Sequence, residues 1–518
     1  MDAAAALHDN RLDVAERILK PYLKEDPFDA KAIRMLAELA ARIGRWRDAE
    51  NLLRRAVELA PSWTSARANL ALVLGRTGRP AEAMALLDEI LAEEPDGVGH
   101  WNLKAATLGR LGDFEQGIAL YEDVLKRAPD QPRVWVSYGH MLKTVGRLAD
   151  GIGAYRRAIA LQPSMGEAWW SLANLKTVEF DEDDLSAMRK ALDTKGLSEP
   201  DRFHLDFALG KALHDAGRPD EAFAHYAKGN ALRLKSAPYD RTRISATVGR
   251  CIDAFTAEAF AARQGGCDAP DAIFIVGMPR AGSTLVEQIL SSHSLVEGTS
   301  ELPDIPVLAR RPGSYPDGIL AASAEEREAF GEEYLKRAAV QRRTNRPFFI
   351  DKLPNNWLFV PFIRLVLPNA KIIDARRHPL GCCFSNFRQQ FAKGQDFTYD
   401  LADLGQYYSD YVRLMAHVDT VLPGRVHRVI YERMVDDTEA EVRALLSYCG
   451  LEFEPQVLEF YKTERAVRTP SSEQVRRPIY RDATEEWRAY EEHLGPLNDA
   501  LGSVLDAYPD APAAFPQR

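Results

Sequence analysis

The sequence predicts two folds in one chain: an α-helical repeat solenoid at the start and, from residue 270 on, an α/β domain with a central parallel sheet. Three observations predict it. Prolines stand 34 residues apart at Pro27, Pro61, Pro95, Pro129 and Pro163, and glycines at Gly44, Gly78, Gly112 and Gly146 keep the same step. After Pro270 short β-rich runs alternate with helical stretches, the pattern of strands joined through crossover helices. The first of those runs leads straight into a loop containing Gly277 and Gly282 and then a helix start. A chain of 518 residues, at roughly 150 per domain, has room for both.

Each 34-residue unit divides at its glycine into two helices, one from proline to glycine and one from glycine to the next proline. Asn10 holds the slot one period before Gly44, as expected where the backbone needs a positive φ. Small residues recur in the first helix at Ala37, Ala71, Ala105, Gly139 and Ala173, and in the second at Ala15, Ala49, Ala83, Gly117 and Gly151. They let helix backbones approach, while Trp101, Trp135 and Trp169 fill one large slot. The pattern resembles the tetratricopeptide repeat (TPR) over residues 1–178. That resemblance implies a curved stack able to bind a protein or peptide, but packing alone accounts for the alanines and tryptophans.

Residues 179–269 lose the strict period. The run RFHLDFALGKALHDAGRPDEAFAHYAKGN restores a helix, a turn at Gly217 and a second helix, so this segment reads as a helical connector with a degenerate repeat. Asp181–Asp184 (DEDD) reads as a helix-initiating acidic cluster.

Composition narrows the function classes. The chain is 46% hydrophobic and 27% charged, which fits globular domains rather than disorder. Its net charge of −10 disfavours non-specific nucleic-acid binding but leaves room for a local basic cleft. Five cysteines without a CxxC pair fit a reducing compartment, and no run approaches the length of a membrane span. The expectation is a cytoplasmic protein with no membrane span and no nucleic-acid partner.

Within residues 270–518 the strand candidates are Ala272–Val276, Pro347–Ile350, Lys371–Ala375 and Arg425–Tyr431. The loop GMPRAGST follows the first. Gly277 and Gly282 permit a tight turn, Ser283 and Thr284 can start and cap the helix through Leu290, and the N–H groups there lack helical acceptors. Such a terminus cradles phosphate or sulfate. Arg280 adds charge-assisted hydrogen bonds, each contributing roughly 1.5–3 kcal/mol. A Walker A loop would carry lysine where Ser283 stands, which weakens a nucleotide-dependent kinase as an alternative.

In that loop the chain resembles the sulfotransferases that use 3′-phosphoadenosine 5′-phosphosulfate (PAPS), in particular repeat-fused bacterial members similar to tyrosylprotein sulfotransferases. The resemblance covers roughly residues 270–490 and implies a P-loop-like fold. It implies that Arg280, Ala281, Gly282, Ser283 and Thr284 cradle the 5′-phosphosulfate. It also implies that Arg377 and Ser385, in RRHPLGCCFS, bind the 3′-phosphate; Arg377 fits the family's place before the x-Pro step better than Arg376. Arginine's planar fork suits a phosphate.

Glu301, in VEGTSELP, matches the place of the family's glutamate general base, with His293 as the competing base because imidazole titrates nearer neutrality; Glu297 is a second carboxylate nearby. Lys352, after PFFID, matches the lysine beside the oxygen that bridges phosphate and sulfate, where a cation offsets growing charge. Asp351 could pair with Lys352 or with a loop arginine. Tyr431, Ser471 and Arg477 are further cofactor candidates, the last two from the closing segment PSSEQVRRP, and Arg388 is a further phosphate candidate. The catalytic set is thus Glu301, Lys352 and Arg280.

The expected activity is transfer of a sulfuryl group from PAPS to an acceptor hydroxyl without a metal, with the repeats presenting the acceptor or a partner. A protein tyrosine, a glycan, a lipid and a small phenol all offer such a hydroxyl. A catalytically inactive TPR scaffold is the other alternative.

Overall fold

The structure, a computed structural model, describes residues 3–8, 11–299, 301–392, 394–463, 474–479 and 484–515. Two compact units emerge, Met1–Ser171 and Leu172–Arg518. Residues 179–269 fold within the second.

In the first unit the 34-residue step becomes helix pairs: Ala30–Arg42 with Trp46–Leu59, Thr64–Arg76 with Pro80–Glu93, Val98–Leu111 with Phe114–Arg127, and Pro132–Thr144 with Leu148–Leu161. Gly44, Gly78, Gly112 and Gly146 have φ between 81° and 89°, a conformation glycine adopts without a Cβ penalty. The small slots are tight: a Cβ on Gly139 would lie 2.6 Å from the Tyr155 ring. The tryptophans do more than fill space. Trp101, Trp135 and Trp169 donate their indole N–H to the carbonyls of Pro95, Pro129 and Pro163 at 2.7, 2.7 and 2.9 Å. Each indole therefore ties its helix to the proline turn that begins the unit. Asn10 lies outside the described residues.

The second unit opens with helices. Asp181 caps helix Glu182–Leu192 by accepting from the Asp184 N–H, so the acidic cluster does initiate a helix. Helices α1 (Glu199–Asp215) and α2 (Pro219–Ser236) flank Gly217, whose φ is 70°; α3 spans Arg241–Ala254. Then come β1 (Ala272–Gly277), α4 (Ser283–Ser291), β2 (Val296–Gly298), α5 (Ala324–Ala339), β3 (Phe348–Lys352), β4 (Lys371–Arg376), α6 (Pro379–Phe387), α7 (Leu401–Val421), β5 (His427–Ile430) and, near the end, α8 (Gly495–Leu501).

The five strands form one sheet in the order β2-β3-β1-β4-β5, every pair parallel. β1 and β4 are almost wholly buried, which is why β1 reads as an unbroken apolar run rather than an alternating one; β4 departs from that at Asp374 and Arg376, which pair with each other. Four strands were expected; β2 is the fifth. At three residues its segment carries too little pattern to read from sequence. One expectation about α4 is corrected: its N-cap is Gly282 at φ 94°, with no side-chain cap hydrogen bond. The turn geometry at Gly282, rather than a Ser283 hydroxyl, starts the helix.

Candidate functional site

Chain connections leave β1 toward one edge of the sheet and β4 toward the other, so a crevice opens beyond their carboxyl ends, where ligands of such sheets bind. Gly277 pairs with Ala375 across that junction. A Cβ on Gly277 would run into the Ala375 carbonyl, so the loop after β1 can leave there only with glycine. Arg280 then adopts φ 66°. A non-glycine residue held in the left-handed region costs of order 1–3 kcal/mol, strain that the packing around it must offset. The first intrahelical bond of α4 runs from the Val286 N–H to the Gly282 carbonyl at 3.1 Å, and the N–H groups ahead of it have no acceptor within the helix. Ser283 and Thr284 are buried in this first turn.

The two arginines meet. Arg280 Nε donates to Ser385 Oγ on α6 at 3.1 Å, and Arg377 Nη1 approaches the Arg280 carbonyl at 3.4 Å. The Arg377 guanidinium lies 4.9 Å over the Tyr431 ring. Gly282 faces the same ring, 2.8 Å from where its Cβ would stand. Arg280, Gly282, Arg377, Ser385 and Tyr431 are thus one cluster, and Tyr431 is its floor.

Its supports come from behind. The Arg377 carbonyl accepts from Tyr408 of α7 at 2.8 Å. Arg376 points the other way, 1% exposed, with its guanidinium on Asp374 at 3.0 Å and on Tyr411 at 3.3 Å. Asp374 also accepts from Arg428 at 2.9 Å. Burial pushes the Asp374 carboxyl up, but Arg376 and Arg428 outweigh it and hold it below its usual range.

A second group sits at the end of β3, beside β1. Lys352 is 2% exposed and donates to Glu301 Oε1 at 2.5 Å. Asp351 takes neither expected partner. Its side chain accepts from Tyr334 of α5 at 2.9 Å and from the Leu302 N–H at 3.4 Å, and burial pushes its carboxyl up to about 8. Thr299 donates its hydroxyl to the Ile350 carbonyl at 2.6 Å. Asp351 and Thr299 therefore fasten the Glu301 segment to β3 on both sides. Sequence reading missed these two anchors; the alternation of Asp351 and Lys352 along a strand, which sends neighbours to opposite faces, was the available signal.

Several other candidates serve the framework. His293 is 1% exposed; its Nδ1 accepts from the Leu295 N–H at 3.1 Å and its Nε2 lies 2.9 Å from the Glu452 carbonyl. Both ring nitrogens are engaged in closing the end of α4. Glu297 accepts from the Arg343 and Thr344 N–H groups. Arg388 contacts His214 Nε2 at 3.1 Å and pairs with Glu486, so its side chain joins a buried network instead of the anion cluster. Arg477 is exposed, and Ser471 lies outside the described residues. Among the described residues no group of three or more His, Cys, Asp or Glu is placed to hold a metal ion, and no helix is long and apolar enough to cross a membrane.

The sulfotransferase family pattern matches residues 270–455, and the tetratricopeptide repeat pattern matches residues 6–74, 44–107 and 76–143. The chain is 34% identical over 335 residues to an uncharacterized protein of Aquifex aeolicus (strain VF5), covering 62% of this chain and 44% of the relative; it spans less than half of that protein's length. Over 193 residues it is 23% identical to a Caenorhabditis briggsae protein named "Putative protein-tyrosine sulfotransferase", covering 37% of this chain and 69% of the relative. The solved sulfotransferase domain from the Synechococcus PCC 7002 olefin synthase aligns at 22% identity and TM-score 0.34, covering 44% of this chain and 90% of that domain. The chain carries tetratricopeptide repeats followed by a sulfotransferase-family domain.

Proposed function

We propose that the C-terminal domain transfers a sulfuryl group from PAPS to an acceptor hydroxyl, and that the repeats present the acceptor or a protein partner. The observation that carries this reading is the convergence of Arg280 and Arg377, from the ends of β1 and β4, on one crevice. Two guanidiniums, a helix start and Ser385 in one place make a site for a ligand with more than one phosphate-like group. The space Gly282 keeps open against Tyr431 is the matching cradle.

In this reading residues 280–284 hold the 5′-phosphosulfate and Arg377 and Ser385 hold the 3′-phosphate, with Tyr431 beneath them and Ser471 and Arg477 as closing contacts. PAPS supplies an activated sulfur–oxygen bond, which breaks as the acceptor oxygen bonds to sulfur. Glu301 takes the acceptor's proton as general base. Lys352 offsets charge on the departing oxygen. Their ion pair at 2.5 Å supports a linked action: once Glu301 is protonated it holds the ammonium less strongly, and Lys352 gains freedom to turn its charge toward the leaving group.

A thermal-shift comparison tests the proposal, since a ligand that binds only the folded form raises stability by mass action. 3′-Phosphoadenosine 5′-phosphate is expected to raise the melting temperature at concentrations where ATP and ADP, with or without magnesium, do little. Stronger stabilisation by ATP with magnesium would favour a kinase. No response to any of the three would favour an inactive scaffold.

A further inference from the structure

Outside the crevice, a cavity of about 480 Å³ lies between α3, α7 and the C-terminal helices of the second unit. Its walls are regular. From α3 it is faced by Thr242, Ser245, Ala246 and Gly249, and from α7 by Gln406, Ser409, Asp410 and Arg413. Both sets follow the i, i+3, i+4, i+7 spacing of one helix face. One face is small throughout, and the other is polar throughout. Leu501, Val504 and Phe515 close a third side, so the space has an apolar end.

The polar groups around it differ in one respect. Asp410 accepts from the Ser245 hydroxyl at 2.6 Å, Gln406 donates to the same hydroxyl at 3.3 Å, and Arg241 at the rim is paired with Asp403 at 2.8 Å. Arg413 has no hydrogen-bond or ion-pair partner among the described residues, although it is only part exposed. Space beside it is not taken up by packing: a Cβ built on Gly249 meets no atom within 4 Å. A cavity within the size range of small-molecule sites, with more apolar than polar surface and one guanidinium that no described residue hydrogen-bonds or ion-pairs, has the complementarity of an amphiphilic anion.

We propose that this cavity is a second ligand site, for a small organic carboxylate whose head pairs with Arg413 and whose apolar body lies against Leu501, Val504 and Phe515. It is built on the face of α7 that carries Arg413, whereas Tyr408 and Tyr411 of the same helix support the Arg377 cluster. The proposal does not depend on sulfuryl transfer.

The test is fluorine NMR on the full chain with 4-fluorophenylacetate as the probe and 4-fluorophenylacetamide, its neutral counterpart, as the comparison. Both are run in an Arg280→Ala background, so that an anion held by the crevice does not contribute. The acid signal is expected to broaden with protein and the amide signal to stay sharp. Arg413→Ala is expected to weaken the acid about tenfold or more, the equivalent of losing one charge-assisted hydrogen bond. Gly249→Phe, which fills open space, is expected to abolish broadening while the circular dichroism stays unchanged. Absence of broadening by the acid, equal broadening by the amide, or undiminished broadening with Gly249→Phe overturns the proposal. Should Arg413→Ala fail to fold, the Gly249 variant and the acid–amide pair still decide it.

Discussion

Lys352 and Glu301, at 2.5 Å, form an ion pair in which the ammonium is almost entirely buried and the carboxylate half exposed. The cation is fixed by the end of β3, and the carboxylate reaches it from a segment that Asp351 and Thr299 hold to the same strand. One partner faces protein and the other faces solvent.

Glu301→Gln is therefore expected to lower turnover by 10²–10⁴, the usual span for a lost general base, while leaving affinity for 3′-phosphoadenosine 5′-phosphate within about twofold. Single-turnover assays with labelled PAPS and a panel of phenols, together with equilibrium titration, separate the two. Near-normal turnover would remove Glu301 from the mechanism.

His293→Gln should behave differently. Its ring bridges the Leu295 N–H and the Glu452 carbonyl, so the loss should appear as about 1–3 kcal/mol in urea denaturation, the cost of leaving buried groups unsatisfied. Turnover per folded molecule is expected to be retained; a collapse of turnover in a fully folded variant would make the imidazole the base.

Arg377→Ala is expected to weaken 3′-phosphoadenosine 5′-phosphate by about tenfold or more and adenosine 5′-phosphosulfate, which lacks the 3′-phosphate, far less. Gly282→Ala should weaken both, because the added methyl meets the Tyr431 ring at a positive φ. Equal losses for the two ligands in Arg377→Ala would count against the 3′-phosphate role.

Asp351 carries a pH signature. Burial raises its carboxyl from 3.8 to about 8, so between those values the folded protein keeps a proton that the unfolded chain has released. Its contribution to stability is fully present below about pH 4 and is lost as pH rises toward 8, at a slope of up to about 1.4 kcal/mol per pH unit. Urea midpoints measured at pH 5 and pH 8 should differ less in Asp351→Asn than in the parent; an unchanged difference would assign the effect elsewhere.

Trp135→Phe should lose about 1 kcal/mol, one net hydrogen bond, because it removes the indole donor to the Pro129 carbonyl while keeping an aromatic ring. Denaturant unfolding of the full chain, followed by circular dichroism, reads it.

Much of this was legible in the residues. Proline and glycine on a fixed step disclose repeats because turn geometry accepts few residue types, and β1 discloses a buried parallel strand because burial on both faces favours a continuous apolar run. The loop from Gly277 to Thr284 was legible for the same reason. What stayed hidden depends on contacts between distant segments. Nothing in the neighbourhood of Arg388 reveals that Glu486 and His214 take it, or that the two rings of hydrogen bonds around His293 and Asp351 are structural. β2 was hidden by brevity, and the indole bonds of the repeats by the absence of any local pattern for a side-chain donor.

The adjacent arginines at the end of β4 have one more consequence. Asp374 draws Arg376 into the interior, and Arg377, one position on, emerges beside β1. Side-chain direction alternates along a strand, so sliding β4 by a single residue would exchange the two guanidiniums and turn every neighbour inside out. The buried aspartate, held by Arg376, Arg428 and Tyr411 at once, acts as a key that admits one alignment, and a mispaired sheet would leave Arg377 away from the Arg280 loop.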